Sequence, residues 1–173
     1  MNPLAWLEAD MARHMLLEFP LLIALGAVLA HHVQPRIHAR IACLDCFGLT
    51  GWTCASLVLA FWMIPAALDA ALGSSAVNAA KYASLVAAGF AGGAAVRRSP
   101  PVLEACFVGN LAWMMATVGL IYQDNPRQLC LSYLVDSQVR AGEGLVAASI
   151  VLGIAWFWIR YARPSAMSTP DAA

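Results

Sequence analysis

The chain has 173 residues, of which 61% are hydrophobic and only 12% charged. With a mean hydropathy of +0.70, that composition cannot be arranged around one soluble core, so its surface must face lipid. The formal net charge is zero, and the basic stripe of a nucleic-acid binder is missing.

Long apolar stretches predict an all-α integral membrane bundle of about five transmembrane helices, at about residues 15–31, 49–68, 77–96, 102–122 and 144–161. No linker divides residues 1–173, so a single membrane domain is expected. The first segment carries Glu18 and Pro20, and its leader holds Glu8 and Asp10 against one Arg13. A secretory signal needs a positive leader, so the segment is read as an uncleaved helix. Asp10 and His14 stand four apart and share a helix face, with Met11 and Met15 as a neighbouring pair. They offer a carboxylate, an imidazole and thioethers to one ion, or else an ordinary Asp–His pair at a helix end. An ionised carboxylate inside an apolar segment faces a bundle interior, a polar partner or a cavity, so Glu18 reads either as functional or as half of an ion pair with Arg13 or Lys81.

Cys43 and Cys46 form a C-x-x-C before the second segment, near His31, His32 and His38. This is either a Cys/His metal site or interfacial packing. The second segment has no charge before Asp69 and closes on Trp62, Met63 and Pro65. In the third, Gly89 and Gly93 lie among Ala83, Ala87, Ala88 and Ala91, a small face suited to close helix packing, chiefly within the chain. In the fourth, Glu104 falls in the first turn, where a carboxylate suits the helix N-terminus. Residues 123–143 are expected to be partly helical and interfacial. The last segment ends in a belt of Trp156, Trp158 and Tyr161.

Arg36, Arg40, Arg97, Arg98, Arg160 and Arg163 fall on one side of these segments, and Arg13, Lys81, Arg127 and Arg140 on the other. The positive-inside rule then puts the N-terminus outside and the C-terminus inside. Asp10, Met11, His14, Met15, Met63, Asp69, Met114, Met115, Cys130, Asp136 and Gln138 occupy the outer half. Thioether, thiolate and imidazole donors suit Cu(I). Each Met reads equally well as a filler of core gaps.

Four stretches carry a resemblance: His14-Met15-Leu16-Leu17 with Pro20-Leu21-Leu22 and Gly26; residues 62–72; Tyr122; and Asp136-Ser137-Gln138 with Ala141-Gly142. In this order they resemble the CtaG family of cytochrome c oxidase assembly proteins, integral membrane proteins associated with copper supply to the oxidase. Residues 62–72 are similar to the family's Trp-His-x-Pro, Tyr-Asp-x-Ala-Leu pattern. Met63 stands at the family's His, and the family's next His pair corresponds to the region of Asn78 and Lys81-Tyr82. His14 is the one outer imidazole left.

The resemblance implies an assembly factor of the bacterial cytoplasmic (inner) membrane that binds Cu(I) on its outer face and assists a terminal oxidase. The implied metal residues are His14, Met63, Met11, Met15, Asp10, Asp69 and Asp136, and the implied partners are membrane lipid and an oxidase subunit. The alternative is a metal-free scaffold or accessory subunit of a respiratory complex. No Ser-His-Asp order, phosphate-cradling Gly loop or H-E-x-x-H is present, so no enzyme is expected.

Overall fold

A computed structural model of the chain describes residues 10–32, 45–124 and 135–162. Among the described residues every regular element is helical. Helix α1 (Met11–His32) starts where Asp10 is extended and its carboxylate accepts the Ala12 N–H at 2.9 Å, satisfying a donor of the first turn. Its second turn, His14–Glu18, is a π-helix. Pro20 accounts for the widening, because its ring lacks an N–H and crowds the carbonyl one turn upstream, and a wider turn there accommodates both.

Helix α2 (Leu49–Trp62) is capped by Asp45, whose carboxylate accepts the N–H groups of Thr50 at 2.8 Å and Gly51 at 3.3 Å. The run expected as one helix over 49–68 is in fact two. Ile64 is extended, as the residue before a proline prefers, and Pro65 occupies the first position of α3 (Pro65–Gly73). The two helices are bent by 75°. At 1.5 Å per residue α2 reaches only roughly 21 Å, short of a hydrocarbon core of about 30 Å, so it does not cross by itself.

The chain continues through α4 (Ser75–Val96), α5 (Pro101–Asp124) and α6 (Val135–Phe157), which closes on a π turn, Trp158–Ala162. Helix α6 begins well before the expected start at 144. Its first turns are amphipathic: Ser137, Gln138, Ala141 and Gly142 are buried, and Asp136, Arg140 and Glu143 are exposed. Four helices are long and apolar enough to cross a bilayer, and the bent α2–α3 pair makes a fifth crossing when taken as one. The protein is an all-α membrane bundle.

Helices α1 and α4 pack backbone to backbone. A Cβ on Gly26 would meet the Val86 carbonyl, and one on Gly89 would meet that of Ile23. Gly89 and Gly93 are thus packed inside the chain, against Ile23 and Ala27. Helices α5 and α6 do the same at Gly119, where a Cβ would lie 2.7 Å from the Gly142 carbonyl oxygen. At the end holding His32, Leu49 and Pro101, Arg98 pairs with Asp45 at 3.3 Å and Arg97 with His31. Arg160 grips both oxygens of Glu104, whose Oε2 also accepts the Trp156 indole N–H at 3.4 Å. Glu104 therefore clips α5 to α6 rather than simply facing its own helix end. Arg36, Arg40, His38, Cys43, Arg127, Cys130 and Arg163 lie outside the described residues, as does the Cys46 side chain.

Candidate buried charge cluster

At the opposite end of the bundle, the π turn of α1 aims His14 and Glu18 at α4, where Lys81 meets both. Lys81 Nζ lies 2.6 Å from Glu18 Oε1 and 3.0 Å from His14 Nε2, and His14 Nε2 lies 3.9 Å from Glu18 Oε2. The side-chain exposures of His14, Glu18 and Lys81 are 0%, 3% and 0%. With Lys81 as the ammonium of the ion pair, Nζ donates and Nε2 accepts, which assigns the imidazole proton to Nδ1. The cluster is then neutral overall, the condition under which charges are tolerated away from water.

The surroundings hold this geometry. The Phe19 ring stands edge-on to His14 at 5.6 Å, and the Tyr82 ring lies 4.7 Å from Lys81 Nζ, a cation–π distance. Ser84 Oγ donates to the Lys81 carbonyl at 3.0 Å and accepts the Trp62 indole N–H at 2.8 Å, tying the Lys81 turn to the end of α2. At the helix break the Tyr122 hydroxyl donates to the Met63 carbonyl at 2.9 Å, and Gln138 Nε2 donates to the Tyr122 carbonyl at 3.1 Å. The Met63 carbonyl released by the α2–α3 bend is thereby satisfied from α5.

The residues expected as ligands divide into two groups. His14, Met11, Met15 and Met63 are all buried, and the three Met side chains belong to one apolar cluster with Trp62, Leu85 and Tyr122. Asp10, Asp69 and Asp136 are less buried. Asp69 on α3 is partly exposed and Asp136 is exposed. Asp10 caps α1 and binds α6, accepting from Ser137 Oγ at 3.1 Å and Arg140 Nη2 at 3.3 Å, while Ser137 Oγ accepts the Met11 N–H at 3.0 Å. Burial raises the Asp10 carboxyl, but the Ala12 N–H, the Ser137 hydroxyl, Arg140 and Arg13 outweigh it and hold the carboxyl below its ordinary value.

Among the described residues no group of three or more His, Cys, Asp or Glu is placed to hold a metal ion. At His14 the donor chemistry does not fit one either, because Lys81 occupies the Nε2 lone pair and puts a positive charge beside it. Lys81 is the central residue that reading for metal donors passed over. Its signal was a single cation well inside an apolar helix. No protein-family model matches the chain, and no curated protein or solved structure matches it.

Proposed function

We propose that this chain is a metal-free membrane assembly or accessory factor of the CtaG type, scaffolding a respiratory complex such as a terminal oxidase in a bacterial cytoplasmic membrane. The cluster lies on the outer side, and the chain catalyses no reaction. The observation that carries the reading is Lys81. At the level where the resemblance implies a copper ion among histidines, a covalently attached cation takes one imidazole nitrogen and one carboxylate oxygen. The ammonium does structurally what a metal would do, holding α1 to α4, and it needs no loading.

A second reading, Cu(I) bound on the outer face, is favoured by the shared burial of the Met11, Met15 and Met63 thioethers, which are soft donors. Copper stoichiometry separates the two. Detergent-purified protein exposed to Cu(I) and desalted should retain the same background copper as a His14→Ala, Met63→Ala double variant, and added copper should leave a deletion strain's oxidase defect unchanged. About one copper per chain, lost in the double variant, would overturn the metal-free reading.

A further inference from the structure

Helix α5 carries exposed residues in one stripe: Val102, Cys106, Gly109, Asn110, Trp113 and Thr117. Steps of three and four place them on a single face, away from the faces that α5 turns to α6 and α2. With 24 residues α5 is roughly 36 Å long, so Asn110, roughly 13 Å from Pro101, lies within the hydrocarbon layer, and Trp113 lies near its centre. Asn110 is the sole exposed Asn or Gln on a spanning helix among the described residues. Neither its carboxamide nor the Trp113 indole N–H has a hydrogen-bond partner among the described residues. The Thr117 hydroxyl, by contrast, donates to the Trp113 carbonyl at 2.9 Å and is satisfied within the helix. Lipid offers no partner to an amide, so this face is incomplete in the single chain.

We propose that α5 is a dimer interface, with two copies of this chain crossing at Gly109 and Asn110 and their Asn110 carboxamides bonded to one another. A carboxamide carries both donors and an acceptor, so it complements its own image across a two-fold axis. An unrelated helix would have to present a matched polar group at the same depth. Gly109 supplies the close approach, since a Cβ there would meet nothing within 4 Å in the chain. Trp113, one turn on, brings a further donor to the same seam. The inference is independent of whether the protein binds metal.

The test is energy transfer between donor-labelled and acceptor-labelled copies in phosphatidylcholine vesicles, followed against the protein-to-lipid ratio. Wild-type protein should show saturating transfer, and Asn110→Leu should weaken association about tenfold. Asn110 is exposed and its side chain makes no hydrogen bond among the described residues, so the variant should keep the wild-type helical circular dichroism. Gly109→Leu, whose side chain enters open space, should also weaken association and carries the test if Asn110→Leu fails to fold. With Cys106 as the one remaining cysteine, oxidation by copper phenanthroline should link two copies. Wild-type transfer at the level of random collision would overturn the proposal, as would Asn110→Leu or Gly109→Leu curves that superimpose on the wild type.

Discussion

Replacing Lys81 by Met keeps the length of the side chain and removes its charge, which isolates the electrostatic part of the cluster. Glu18 is 3% exposed and pairs with Lys81 Nζ at 2.6 Å, so the substitution leaves a buried carboxylate without its cation. Breaking a buried pair from one side costs about 3–5 kcal/mol, set against a total stability of about 5–15 kcal/mol. At 2–4 °C per kcal/mol the melting temperature should fall by roughly 6–20 °C. Adding Glu18→Leu removes the stranded charge and should recover most of the stability, leaving about 1 kcal/mol for the His14 bond. Thermal unfolding in dodecyl maltoside, followed by circular dichroism, reads all four corners of the cycle. A Lys81→Met melt within about 2 °C of wild type at pH 8 would refute this account of the cluster. So would a double variant as unstable as the sum of the two single ones.

Asp10→Ala should cost about 1 kcal/mol through loss of the cap. Because the folded-state value of Asp10 lies below the ordinary 3.8, its stabilisation is present above that pH and fades as the pH falls through the folded value, so wild-type and variant acid melts should converge there. Tyr122→Phe strands the Met63 carbonyl at the helix break and should cost about 1–3 kcal/mol in the same unfolding assay. Gly89→Ala drives a methyl into the Ile23 backbone, and overpacking there should cost about 1–3 kcal/mol, whereas Gly73→Ala, which meets open space, should melt with the wild type.

Apolar run length revealed the crossings because lipid selects for hydrophobicity over some twenty residues whatever those residues touch. The same criterion concealed the break between α2 and α3. Residues 49–68 stay apolar across Pro65, and only the backbone restriction that Pro65 imposes on Ile64 marks the bend. The first turns of α6 were hidden for the opposite reason. Asp136, Arg140 and Glu143 make the stretch look interfacial, while Ser137, Gln138 and Ala141 on the other face are buried against α1 and α5. His14 was legible as a polar residue of special position, but its partner was not. Lys81 was expected as one ion-pair partner for Glu18, which it is, but nothing local marks it as the partner of an imidazole 67 residues earlier in the chain. The polar groups that complete the site, Tyr122 and Gln138, bond through backbone carbonyls, and carbonyls leave no trace in residue identity.

The pairing of Glu18 with Lys81 also orders events during biogenesis. Helix α1 leaves the ribosome with its carboxylate while the lysine has yet to be made, and at 5–20 residues per second the gap from position 18 to position 81 lasts roughly 3–13 s. Through that interval Glu18 lacks its α4 cation, and a carboxylate facing lipid is poorly tolerated. Stable placement of the first span should therefore improve on delivery of α4, although α2 and α3 are synthesised between the two.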